Sequence, residues 1–218
     1  MYTESVEDYL KTLYKIQDQA DTVTTDALAT ALRVKQSSVT NMLKKLADMA
    51  LIHYQPYQGA ILTEDGRREA LRVLRHHRLV EQFLVQILGL SWDEVHEEAE
   101  KWEHVLSPKI VKRIEALLDH PVTDPHGASI PGQDGSMSQP DTILLSELVA
   151  GQSAVITEVN DDDPELLRYC ASLGLRPGVE IQLIKIGPMG DWMTISLENE
   201  EHSLGCQVAA HIQVTLET

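Results

Sequence analysis

The hydrophobic period changes once along the chain, and that change sets the architecture. Up to about residue 119, apolar residues recur three and four apart, the spacing of amphipathic helices. From residue 141 the apolar runs become short, β-branched and partly alternating: Ala154–Val159, Val179–Ile186 and Trp192–Leu197. Arg176-Pro-Gly and Gly187-Pro-Met-Gly break these runs, as turns between strands do. Between the two regimes lies a tract rich in Pro, Gly and Asp, from His120 to Pro140. A chain that buries helix stripes first and sheet faces later is α+β. The expected regions are 1–73, helix-rich and ending in a short β-like stretch, then 74–140, helical with a trailing loop, and 141–218, a small β-barrel.

Charge is unevenly spread. The net charge is −16, which argues against indiscriminate coating of nucleic acid. Residues 1–75 hold ten Lys/Arg and ten Asp/Glu, so the whole surplus of acid lies beyond them. Residues 31–75 are locally basic, with eight cations against four anions. A basic segment on an acidic body suits a DNA reader attached to a regulatory part. Hydrophobic residues make up 43% of the chain and aromatics 5%, so aliphatic side chains fill its cores. Cys170 and Cys206 form no CxxC pair, which argues against a zinc ribbon or a disulfide framework. No apolar run reaches the ~18 residues of a membrane span, and no basic-then-apolar leader opens the chain, so a cytoplasmic, non-membrane protein is expected.

Thr25 is expected to cap a helix through Ala27, Leu28, Ala31 and Leu32. After a break at Arg33-Val-Lys, a second helix begins at Gln36-Ser-Ser and buries Val39, Met42, Leu43 and Leu46. Helix, tight turn, helix is the geometry that places the second element in a major groove. Lys35, Gln36, Ser37, Ser38, Asn41 and Lys44 are the polar residues that would face DNA there, with Asn suited to adenine and Lys to phosphate. His53 to Thr63 has strand–turn–strand character with Gly59 at the tip, which reads as a wing, and Thr63 opens the next helix.

The middle region carries the chemistry. His77 and Glu81 lie four apart on one helix, and His96, Glu100, Glu103 and His104 form a stripe at i, i+4, i+7 and i+8 of another. Beside that stripe runs an apolar one of Val95, Ala99, Trp102 and Leu106. Six imidazole and carboxylate donors on two neighbouring helices suit a five- or six-coordinate transition metal, and the Glu7-Asp8 pair offers another carboxylate. HExxH, GxGxxG, Walker and GxSxG motifs are absent, so no catalytic motif accompanies the donors.

At these residues the chain resembles the diphtheria toxin repressor family of iron- and manganese-dependent regulators. The matching pieces are Glu7-Asp-Tyr-Leu-Lys-Thr-Leu-Tyr, Val34-Lys-Gln-Ser-Ser-Val-Thr, His77-Arg-Leu-Val-Glu-Gln-Phe-Leu, Glu94-Val-His-Glu-Glu-Ala-Glu-Lys-Trp-Glu-His and Ile130-Pro-Gly. Leu166 to Gly178 resembles the family's C-terminal SH3-like module. The resemblance implies a winged helix-turn-helix, a helical dimerisation and metal-binding region and an SH3-like (FeoA-type) barrel. It also implies a homodimer on a double-stranded DNA operator, no enzyme activity and no organic cofactor. By position, Glu103 and His104 with Glu100 and Asp8 match the primary metal site, and His77, Glu81 and His96 the ancillary one. Asp124, His126 and either Asp161 or Asp163 fall where some three-domain manganese regulators place ligands. Asp8 and Glu100 stand where iron-responsive members carry Met and Cys, which hardens the site toward Mn(II), with Fe(II) and Zn(II) still admitted by imidazole. Lys11 stands where two-domain manganese members use Glu. The alternatives are a metal-dependent hydrolase and a winged-helix regulator that needs no metal.

Overall fold

Helix α1 (Glu4–Gln17) turns Val6, Leu10 and Leu13 into a core shared with Leu28 of α2 (Thr25–Ala31) and Leu43 and Leu46 of α3 (Gln36–Asp48). The computed structural model describes residues 2–17, 20–138 and 140–216. Thr24, not Thr25, caps α2: its Oγ1 accepts the Ala27 N–H at 3.1 Å. The sequence offered two adjacent threonines, and the backbone leaves the helical region at the first. Arg33, at φ +53°, makes the tight turn into α3, and Val39, Leu43 and Leu46 point inward as the period requires. Met42 is only half-buried.

Strands β1 (Ile52–Gln55) and β2 (Gly59–Leu62) form the expected hairpin, paired from Ile52↔Leu62 to Gln55↔Gly59. Gly59 is required there. Its φ is +108°, and a Cβ would lie 2.8 Å from the Val23 carbonyl, where Val23 bridges to Ala60. Thr63 Oγ1 accepts the Gly66 N–H, opening helix α4 (Glu64–Gln86).

The chain divides into two compact units. The first holds Met1–His77, Trp102–Leu106 and Pro131–Ser136; the second holds Arg78–Lys101, Ser107–Ile130 and Met137–Thr218. Helix α5 (Val95–Trp102) is shorter than its stripe suggested, because the chain turns after Trp102. Glu103 and His104 therefore stand in a turn belonging to the first unit, while His96 and Glu100 belong to the second. Helix α6 (Pro108–Leu117) is capped by Ser107, with Pro108 in the first turn.

The second unit is built on a six-stranded antiparallel sheet of order β3-β8-β4-β5-β6-β7. The strands are β3 (Ile143–Leu144), β4 (Ser153–Val159), β5 (Glu180–Ile186), β6 (Trp192–Leu197), β7 (Glu200–Gly205) and β8 (Ile212–Leu216). Bulges at Ile156/Glu158 and Leu183/Lys185 bend it, as a small SH3-like sheet needs. Its core gathers Ile156, Leu183, Met193, Ile195, Ile212 and Val214 with Leu167 and Cys170 of helix α7 (Pro164–Ser172). A short helix α8 (Cys206–Ala209) precedes β8.

Candidate metal centre and DNA-reading surface

Donors in the first unit come from two segments far apart in sequence. Glu7, Asp8 and Lys11 share a face of α1 through their three- and four-residue spacing. Glu103 and His104 come from the turn after α5. One ligand atom each of Asp8, Glu103 and His104 lies within 4.8 Å of the others. His104 Nε2 is 2.8 Å from Asp8 Oδ1 and 3.2 Å from Glu103 Oε1. On its other side, His104 Nδ1–H donates to Glu7 Oε2 at 2.7 Å. That hydrogen bond fixes the ring and turns Nε2 toward the two carboxylates, the orientation that metal-binding imidazoles use once Nε2 has lost its proton. Arg72 in turn holds Glu7, with Nη2 at 2.5 Å from Oε1.

Glu103 is the centre of this group. Its side chain is fully buried, a costly place for a carboxylate without partners. Oε1 accepts from Lys11 Nζ at 2.6 Å, and Oε2 accepts from His77 Nδ1–H at 2.5 Å. His77 thereby holds the far oxygen of Glu103. Burial lowers the His104 pKa, but the Glu7 hydrogen bond and the charges of Glu103 and Asp8 override it and raise the value. His76 moves the other way, lowered by burial, while its ring meets the Glu103 carbonyl at 3.2 Å.

A second set of donors lies in the second unit. Glu81, His96 and Asp161 each bring one ligand atom within 4.8 Å of the others. His96 Nδ1 stands 3.2 Å from Glu81 Oε1 and 3.1 Å from Asp161 Oδ2, and its Nε2 is 3.7 Å from Glu100 Oε1. Burial opposes protonation of His96, but Asp161 and Glu81 outweigh it and push its pKa up to about 10. Glu81 also gathers with Asp124 and His126, all three buried. His126 Nε2–H donates to the Trp92 carbonyl at 2.7 Å, which leaves Nδ1 as a lone pair that is buried and accepts no hydrogen bond. Burial first, then the charge of Glu81, raises the Asp124 carboxyl well above its usual range.

The tract containing Asp124 and His126 is ordered rather than plain surface. Asp124 Oδ1 accepts the N–H groups of His126 and Ala128, and Val159 N–H donates to the His126 carbonyl. Gly127, at φ +96°, allows this: a Cβ there would meet the Thr157 carbonyl at 1.9 Å. Asp163 is exposed and caps α7 by accepting the Glu165 N–H at 2.8 Å, and it joins no ligand group among the described residues. Asp161, two residues earlier, is the one whose oxygen reaches His96. Asp163-Pro164 is a helix-start signature, and weighing that would have separated the two.

Spacing points to His77, Glu81, His96, Glu100, Glu103 and His104 as donors but carries no sign of the supports. Glu7 and Arg72 are 65 residues apart, and Glu7 and His104 are 97 apart. A local period carries no such signal.

On the DNA-reading side, Lys35, Gln36, Ser37, Ser38, Asn41 and Lys44 are all exposed. Gln36 Nε2–H donates to Asp26 Oδ1 at 2.7 Å, tying the first turn of α3 to α2. A cleft of about 630 Å³ runs along Gln36, Ser37, Thr40 and Lys44 to Tyr54 and Tyr57 of the hairpin. Tyr57 stands fully exposed at the hairpin tip with φ +67°.

Three protein-family models match successive parts of the chain. They are the iron dependent repressor N-terminal DNA binding domain over residues 1–60, the iron dependent repressor metal binding and dimerisation domain over 63–132, and the FeoA domain over 143–216. The diphtheria toxin repressor of Corynebacterium efficiens is 31% identical over 191 residues, covering 83% of each chain. The iron-dependent repressor IdeR of Mycobacterium leprae is 29% identical over 223 residues, covering 97% of this chain and 96% of that one. Among solved structures, a manganese-dependent transcriptional repressor in complex with manganese superposes with a TM-score of 0.91 at 35% identity, covering 97% of this chain and 100% of that one. The IdeR of T. acidophilum superposes with a TM-score of 0.80 at 27% identity, covering 100% and 99%.

Proposed function

The chain belongs to the diphtheria toxin repressor family of iron- and manganese-dependent transcriptional regulators, and we propose that it is a homodimeric repressor whose operator binding is switched on by a divalent metal, Mn(II) foremost. The family is one of regulators rather than enzymes, so the hydrolase alternative is not favoured. The observation that carries the metal reading is the convergence of Asp8, Glu103 and the Nε2 of His104, with His104 aimed by Glu7.

Asp8, Glu103 and His104 would hold the ion, and a bound ion supplies a positive centre shared by α1 and the turn after α5. Glu7 orients the imidazole, Arg72 anchors Glu7, and His77 holds the far oxygen of Glu103. Joining these segments fixes α1, which packs on the same core as α2 and α3. Glu81, His96 and Asp161, with Asp124 and His126, make a second candidate set, and the unsatisfied Nδ1 of His126 fits a ligand role. Both sets offer carboxylate and imidazole and contain no cysteine, so hard and borderline ions are favoured. Cys170 is buried and its pKa is pushed up to about 11. Fe(II) and Zn(II) are expected as weaker or surrogate activators, and the relatives include a repressor named for iron and one solved with manganese.

A dimer is supported by apolar residues left exposed in the second unit. Ile110 and Leu117, seven apart on α6, are 46% and 60% exposed, and Ile87 and Leu88 beyond α4 are similarly open. Two copies of α3, held by such an interface, would address successive major grooves.

The test is operator binding of EDTA-stripped protein titrated with Mn(II) at pH 6.5 and 8. Mn(II) should restore binding and EDTA should reverse it. His96 and His104 both have raised pKa values, so ligation displaces protons, and more Mn(II) should be needed at the lower pH. Operator binding indifferent to EDTA at both pH values would favour the metal-independent regulator.

A further inference from the structure

Lys11 places a positive charge inside the group of donors proposed to hold the metal. It is 5% exposed, and its ammonium lies 2.6 Å from Glu103 Oε1, the same oxygen that stands 3.2 Å from His104 Nε2. A buried ammonium and a buried carboxylate hold each other in place, because either alone would be costly to bury. Three carboxylates, Glu7, Asp8 and Glu103, face two fixed cations, Arg72 and Lys11. The two cations are not equivalent. Arg72 sits on Glu7, the residue behind His104, whereas Lys11 sits on Glu103, a proposed ligand itself. A divalent ion held by Glu103 Oε1 and His104 Nε2 would lie against that ammonium, and like charges at such range repel.

We propose that Lys11 is an internal competitor for the metal. In the metal-free protein its ammonium is the counter-ion of Glu103, and it must release Oε1 before a divalent ion takes that oxygen. Lys11 thereby sets the free-metal concentration at which the regulator fills. The flexible four-carbon stem allows the withdrawal, and the position of Lys11 on α1, three residues from Asp8, makes it respond to the ion that Asp8 would help to hold. This rests on the metal reading of Asp8, Glu103 and His104.

The experiment uses the full chain, stripped with EDTA, and Mn(II) alone. Calorimetric Mn(II) isotherms and melting curves with and without saturating Mn(II) are recorded for the wild type, Lys11→Met and Lys11→Arg. Lys11→Met is expected to tighten Mn(II) binding about tenfold or more, while Lys11→Arg, which keeps the charge, stays close to wild type. Metal-free Lys11→Met should melt lower than wild type, and the gain on adding Mn(II) should be larger. A purely structural lysine would lower both melting temperatures equally and leave the isotherm unchanged, and that result overturns the proposal. Should Lys11→Met not fold, Lys11→Gln removes the charge while keeping a polar contact and must show the same tightening. The site assignment fails separately, if His104→Ala leaves the wild-type isotherm unaltered.

Discussion

His104→Ala is expected to reduce operator affinity in saturating Mn(II) to that of the metal-free protein, a loss of roughly 5–150-fold for each linked site. The imidazole is the member of the first set whose removal is cleanest. Its Nε2 meets both Asp8 and Glu103, and its Nδ1 is occupied by Glu7, so the ring is a single link between α1 and the turn after α5. Glu103→Ala should abolish the metal response as completely, but it also strands the Lys11 ammonium in a buried position. A broken buried pair costs about 3–5 kcal/mol, so part of that loss would be stability rather than signalling. Glu103→Gln keeps the volume and a carbonyl for Lys11, and it is the better partner for His104→Ala. Fluorescence anisotropy with a labelled operator, with and without Mn(II), reads the effect. A metal response that survives in both His104→Ala and Glu103→Gln contradicts the assignment.

Asn41→Ala should weaken cognate operator binding by about 1–3 kcal/mol, roughly 5–150-fold, and relax the preference for one base pair. Asn41 is exposed on α3, one turn beyond Ser37, and an Asn in a major groove pairs bidentately with adenine. Lys44→Ala should behave differently. A lysine on phosphate strengthens all DNA alike, so its loss should weaken cognate and random DNA together and lower the salt slope by about one. Neither residue belongs to a donor set, and Mn(II) isotherms without DNA should match wild type. Titrations against cognate and scrambled duplexes at several salt concentrations separate the two roles. If neither variant changes affinity or slope, α3 is not the reading helix.

These two predictions draw on different kinds of information. The recognition helix was legible in sequence because its evidence is local: Val39, Leu43 and Leu46 at helical spacing force the polar residues outward. The strands at Ala154–Val159, Val179–Ile186 and Trp192–Leu197 were legible for the same reason, and all three appear within a residue of their expected starts. The metal stripe was half legible. His96 through His104 fit one helix face, but the chain turns at Trp102, so residues three to eight apart serve separate units. Burial was the other blind spot. His126 sits in a Pro/Gly tract with no periodicity to signal burial, yet it is 1% exposed, because Asp124 folds the loop and Gly127 lets it lie on β4. Lys11 looked like a departure from a pattern of acidic ligands. Its meaning depended on Glu103, 92 residues away.

If Asp8, Glu103 and His104 hold the regulatory ion, anomalous diffraction at the manganese edge will locate it there. Crystals of the full chain grown with Mn(II) should show a peak at bonding distance from Asp8, Glu103 and the Nε2 of His104. A peak confined to Glu81, His96, Asp161, Asp124 and His126, with nothing beside Glu103, would show that the regulatory ion is held elsewhere.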